Sequence, residues 1–258
     1  MLALLIVICA LFGLAVGSFL NVVIYRVPHH ESIVSPRSKC PSCQSPIRES
    51  DNIPVLSWII LRGRCRDCRA PISARYLVVE LLGGALFAGL AGRLGYNWDL
   101  PAFLALLSGL LALSCIDMEH LTLPKKVVYP TLVLEAIFLV IAAAAYDSWH
   151  RLLIAALCGA SWFAAFFLIN LASPRALGFG DVRLAALLGL GLGWFGWRFV
   201  VLGFFAGNLI GAVVGIFLIA TKRIERKQPV PYGVFLALGT AFAIFAGPEI
   251  VVHFAQFR

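Results

Sequence analysis

The sequence predicts an all-α, polytopic membrane protein with about eight transmembrane helices and one small polar loop domain. Three observations carry this. Hydrophobic residues make up 61% of the 258 positions and charged residues only 13%, whereas a soluble domain carries about 25% charged residues. The mean hydropathy is +0.92. Apolar runs near the length of a bilayer-crossing helix recur from end to end, and a water-soluble core could not hide that much apolar surface. One stretch, residues 25–76, breaks the pattern with cysteines, prolines and charges.

The spans are expected at roughly residues 2–24, 77–95, 101–116, 127–145, 152–171, 182–197, 199–220 and 233–253. A span needs about 20 apolar residues, with 17 near the lower limit, so the third and sixth are the shortest candidates. The first has no basic n-region and runs directly into "GSFLNVVIYR". It is expected to be a retained helix and not a cleaved signal. With eight spans, seventeen of the 21 Lys and Arg residues fall on one side. Only Arg93, Arg151, Arg198 and Arg258 fall on the other. The positive-inside rule puts the richer side in the cytoplasm and both termini outside. The net charge of +8 is then a topology signal. It predicts contact with anionic lipid and no nucleic acid.

Residues 25–76 contain "CPSC" (Cys40, Cys43) and "CRDC" (Cys65, Cys68), with 21 residues between the pairs. Each CxxC is a tight turn that points two sulfurs at one ion, and two such turns suit a tetrahedral four-thiolate zinc site. A cytoplasmic location disfavours disulfides. Redox-active and unligated thiols are the competing readings. Four protein ligands close the site, so the zinc is expected to be structural and to supply folding energy to a loop with little apolar content. Cys9, Cys115 and Cys158 lie in apolar spans and read as small buried hydrophobes. His29 and His30 read as a solvated pair, because four cysteines already complete a site.

Two acids stand where acids are expensive. Asp117 follows the third span in "SCIDMEHLTLPKK", with Glu119 two residues on, and Asp181 precedes the sixth span in "GFGD". The alternation of spans places both at the same membrane face. Two close carboxylates share one proton, so that one acts as acid while the other activates water. Gly178 and Gly180 would give Asp181 a turn with close backbone approach for an extended substrate. A plain structural reading competes: an acid at a helix start is stabilised by the macrodipole, and Asp117 and Glu119 could simply solvate a loop. Spacing and topology alone leave both readings open.

The motifs "GSFLNVVIYRVP", the paired CxxC, "LRGRCRDCRAPIS", "IDMEHLTLP", "GFGDVRLAALLG" and "PVPYGVFLALG" occur in this order along nearly the whole chain. Together they resemble the bacterial type IV prepilin peptidases, membrane aspartyl proteases of the GxGD type. The resemblance implies that Asp117 and Asp181 match the family's two catalytic aspartates. It implies cleavage of the short basic leader from prepilins or type II secretion pseudopilins at the cytoplasmic face of the inner membrane. It also implies methylation of the new N-terminus with S-adenosylmethionine, whose site no motif locates. The chain departs from the pattern at Glu119, where the family often has Asp, and at Thr122 and Lys125, where it often reads "LLPD". These departures bear on substrate preference more than on chemistry.

The remaining features read structurally. Gly203, Gly207, Gly211 and Gly215 recur every four residues and are expected to form one close-packing helix face. "GLGLGWFGW" has no preceding strand and is rejected as a nucleotide loop. Glu80 is expected near a helix start, stabilised there by the dipole. The competing function is an ion-coupled transporter using the same acids. That would favour acids at mid-span and internal repeats; here Asp117 and Asp181 lie at helix ends, and no repeat is evident. The expected organisation is an N-terminal module, residues 1–95, enclosing the zinc loop, followed by a six-helix peptidase core, residues 96–258.

Overall fold

The computed structural model describes residues 1–174, 177–222 and 230–255, with side chains described as far as 251. Arg175, Arg223, Arg226, Lys227 and Arg258, which enter the charge asymmetry, lie outside the described residues. Among those described, the structure is helical and has no strand; two isolated bridges, Lys39 to Pro46 and Arg64 to Pro71, are its only β pairing. The chain divides into two compact units, Met1–Tyr96 and Asn97–Arg258.

In the first unit, α1 (Leu2–Arg26) and α3 (Ala74–Leu94) run antiparallel and flank the polar loop. Glycines let them touch backbone to backbone. A Cβ on Gly17 would lie 2.7 Å from the Cα of Glu80, and one on Gly13 would lie 2.8 Å from the Phe87 ring. Between helices in lipid, where apolar side chains gain nothing over acyl chains, such close approach supplies the packing. The loop hangs from these helices by two buried charged groups. The Arg26 guanidinium donates to the carbonyls of Ser32 and Pro36, both at 2.7 Å. The Glu80 carboxylate accepts from the Val55 N–H at 2.7 Å. Glu80 therefore sits a turn and a half inside α3 and tethers the loop, in place of the expected role at the helix start. Within the loop lie a single 3-10 turn, Glu49–Asn52, and one short α-helix, α2 (Leu56–Ile60).

The second unit comprises α4 (Leu100–His120), α5 (Lys125–Ala145), α6 (Trp149–Ala172), α7 (Phe179–Phe195), α8 (Trp197–Ala220) and α9 (Tyr232–Ala255). Among the described residues, seven helices are long and apolar enough to cross a membrane. The expected sixth span is α7, and its 17 residues reach only about 26 Å at 1.5 Å per residue. It can be short because it is sheathed by protein. Leu184, Ala185, Leu187, Leu188, Leu192 and Trp194 are all buried. It runs antiparallel to α6, with Gly193 against Ala155 and Gly189 against Cys158 and Gly159. On α8, Gly203 and Gly207 pack against α9, and Gly211 meets the Phe235 ring. Gly215 has nothing within 4 Å among the described residues, which use the expected four-glycine face at three positions.

Candidate active site

The helix α4 does not end where its apolar run ends. It continues to His120 and is stopped by Leu121, whose φ of +52° is left-handed and whose N–H closes on the Asp117 carbonyl. Pro124 then starts α5. Asp117 thus lies in the last turn of α4 and is only 5% exposed. Its Oδ2 accepts from the Gly233 N–H at 2.9 Å, and the Val234 N–H adds a second hydrogen bond. These are first-turn donors of α9, which no residue within that helix can satisfy.

Asp181 is the third residue of α7, and Gly178 caps that helix with an extended backbone, φ −71° and ψ 149°. Neither Gly178 nor Gly180 has a positive φ, so no left-handed turn is needed here. What Gly180 allows is close approach, to Leu123. A Cβ on Gly180 would lie 3.0 Å from the Cβ of Leu123, and one on Gly233 would lie 3.0 Å from both Leu123 Cδ2 and Asp117 Oδ2. Leu123, buried in the short connection from Leu121 to Pro124, is therefore wedged between the turn that carries Asp181 and the turn that holds Asp117. The two carboxylates are near enough for the charge of Asp117 to act on Asp181. Asp181 in turn acts on Tyr232, whose hydroxyl donates to Asn208 Oδ1 at 3.1 Å. Leu123, Tyr232 and Asn208 had no role in the sequence reading. Tyr232 lies inside "PVPYG", while Leu123 is marked only by being apolar beside a proline. Glu119 lies in the last turn of α4 and not in the expected loop; it is solvent-exposed and stands 3.9 Å from His120.

Two further buried acids occupy this unit. Asp99, at the start of α4, accepts from the Trp194 indole N–H at 2.9 Å, and the Arg151 guanidinium stacks 4.5 Å over that indole. Glu135 on α5 is fully buried, and neither of its oxygens has a hydrogen-bond partner among the described residues. It packs against Gly191, where a Cβ would also collide with Leu106. Glu135 was legible as the sole acid in the middle of the expected 127–145 span, a position where an acid is expensive, but the sequence reading assigned it no role.

The four expected zinc ligands do converge. The sulfurs of Cys40, Cys43, Cys65 and Cys68 all lie within 4.8 Å of one another, and Cys40 to Cys68 is 3.8 Å. Four thiolates at about 2.3 Å from one zinc would stand about 3.8 Å apart. The geometry comes from a repeat legible in the sequence but missed there: "KCPSCQSPI" and "RCRDCRAPI". In each copy the first cysteine N–H bonds a carbonyl five residues on, Cys40 to Ser45 and Cys65 to Ala70. In each, the residue after the second cysteine is left-handed, Gln44 at +60° and Arg69 at +62°. Hydrogen bonds from Ser45 bring the Cys43 thiol down to about 6, and the Cys68 and Asp67 N–H groups lower Cys65. Cys68 accepts from Ala70, yet desolvation and the neighbouring sulfurs push it up to about 12. A cluster that resists its last deprotonation is one that a divalent cation completes. The residues fit a closed zinc site. His29 is not part of it; its Nδ1 lies 2.6 Å from the Tyr25 carbonyl.

Fold and site define a multi-pass helical membrane protein with a four-cysteine module and a pair of acids at helix ends. Residues 11–94 match the Bacterial Peptidase A24 N-terminal domain, and residues 104–216 match the Type IV leader peptidase family. Three relatives carry the name prepilin leader peptidase/N-methyltransferase. That of Stutzerimonas stutzeri is 35% identical over 277 residues, covering 97% of this chain and 94% of the relative. That of Pseudomonas aeruginosa is 34% identical with the same coverages. That of Myxococcus xanthus is 42% identical over 231 residues, covering 86% of this chain and 67% of the relative. No solved structure matches. The chain belongs to the type IV leader peptidase family and is a membrane peptidase.

Proposed function

We propose that this chain cleaves the short basic leader of type IV prepilins or type II secretion pseudopilins, with Asp117 and Asp181 as the catalytic pair. The observation that carries this reading is the Leu123 wedge between the turn that bears Asp181 and the turn that holds Asp117, with the charge of Asp117 acting on Asp181. In this scheme one carboxyl group holds the shared proton and protonates the leaving amine. The other takes a proton from the attacking water. The active site faces the cytoplasm, where the basic loops gather. Both termini lie outside, and the protein spans the bacterial inner membrane. Residues 1–95 form the zinc module, bound through Cys40, Cys43, Cys65 and Cys68. Residues 96–258 form the peptidase core. The relatives' names support a second step, transfer of a methyl group from S-adenosylmethionine to the new N-terminal amine.

The test incubates purified protein with a prepilin peptide and labelled S-adenosylmethionine, and reads cleavage and methylation separately. Asp117→Asn and Asp181→Asn should each abolish cleavage while the protein stays in the membrane. Full processing by either variant would remove that residue from the pair.

A further inference from the structure

The short helix α2 is amphipathic in the wrong sense for a helix covering a small core. Its polar residue, Ser57, is the buried one, accepting from the Ile53 N–H and donating to the Ser50 carbonyl. Its apolar residues face out: Leu56 is 50% exposed, Ile59 57% and Ile60 64%. Their spacing puts all three on one helical face. Trp58 is not free to cover them, because its ring packs on the Gly63 turn that follows.

Charge surrounds this face unevenly. Three of the loop's acids are paired: Glu49 with Arg37, Asp67 with Arg48 and Asp51 with Arg66. Lys39, Arg62, Arg64 and Arg69 form no ion pair among the described residues. Arg62 and Arg64 directly follow the apolar face, on a turn where Arg62 and Gly63 are left-handed at +52° and +64°. An apolar wedge edged by unpaired cations suits an anionic interface and repels a basic peptide. Such an interface is always at hand. The loop leaves α1 at Val27 and enters α3 at Ala74, so it is tethered to the bilayer at both ends and meets head groups at high effective concentration.

We propose that Leu56, Ile59 and Ile60 insert into the membrane leaflet on the loop's own side, with Arg62 and Arg64 bound to anionic phospholipid head groups. The zinc module is then held flat on the membrane by lipid as well as by its two helices. This reading is independent of which bond the peptidase cuts.

Hydrogen exchange of the full-length, zinc-loaded protein in nanodiscs tests it. Amides of residues 56–64 should exchange more slowly in discs containing phosphatidylglycerol than in discs of phosphatidylcholine alone. Arg62→Gln and Arg64→Gln should each speed that exchange about fivefold, the factor carried by about 1 kcal/mol per basic side chain at an anionic surface. Ile59→Ser with Ile60→Ser should remove the protection, with zinc content unchanged as the check on folding. Should a variant lose zinc, a salt titration of the unmutated protein serves instead, because salt should erase the lipid-dependent difference. Equal exchange in the two disc types would overturn the proposal. Protection that persists in phosphatidylcholine would show that protein covers the face, and protection gained only on adding an acidic polypeptide would assign it to that partner.

Discussion

Leu123 is the side chain on which the arrangement of the two aspartates turns. It is buried, and it touches both Gly180 and Gly233 at distances that leave no slack. Truncating it would open a gap between the turn that carries Asp181 and the turn that holds Asp117 while leaving both carboxylates in place. Leu123→Ala is expected to lower kcat by about 10- to 100-fold, the size of effect that a displacement near 1 Å produces, with little change in KM. Steady-state kinetics on one prepilin peptide would check this. A change confined to KM would place Leu123 in substrate binding instead. Both aspartates were legible as residues because an acid at the edge of an apolar run stands out. Their hydrogen-bond partners were not legible: Gly233 lies 116 positions beyond Asp117, and nothing local links the two.

At the scale of elements, helix packing in this chain is written in glycine but read only by partners. Gly207 faces the α9 backbone, where a Cβ would lie 2.8 Å from the Phe235 carbonyl, whereas Gly215 faces open space. Gly207→Ala is expected to destabilise the protein by about 1–3 kcal/mol, the usual cost of overpacking. Gly215→Ala should be silent or slightly stabilising, because a glycine in a helix interior costs about 1 kcal/mol relative to alanine. Thermal denaturation of the two variants in the same detergent separates them. In the loop, Arg66 binds Asp51 with two nitrogens and holds its carboxyl below the usual carboxylate range. A depressed folded value means that the pairing stabilises the loop above about pH 4, the unfolded carboxylate's pKa, and is lost as pH falls through the lower folded value. Asp51→Asn should therefore weaken the loop at neutral pH, and its difference from the unmutated protein should shrink in acid. Loop-specific hydrogen exchange at matched zinc content is the measurement.

For the molecule as a whole, two units with separate cores imply two responses to metal removal. The loop has few buried apolar residues, so its folding is expected to rest on zinc. Elemental analysis should find one zinc per chain. Stripping it with a chelator should raise exchange across residues 36–72 while α4 to α9 keep their protection. Cys40→Ser should act in the same way. A metal-free protein with an ordered loop would refute the structural role.

The sequence by itself determined the class of fold and the bounds of the long helices to within a few residues, and it singled out four cysteines and two aspartates as the candidate site residues. All of these are local signals. Lipid demands long apolar runs, zinc demands a fixed spacing of sulfurs, and a lone acid in such a run has few structural reasons to be there. Only the tertiary structure decided which faces meet. It alone showed that α7 is short and sheathed, that Leu123 wedges the candidate site, that, among the described residues, Gly207 has a close neighbour where Gly215 has none and Glu135 is buried without a hydrogen-bond partner, and that α2 turns its apolar face outward. The physical reason is that a helix made for lipid is apolar all round. It lacks the polar stripe that marks solvent in a soluble helix, so its sequence says that it crosses the bilayer but not which neighbour it faces.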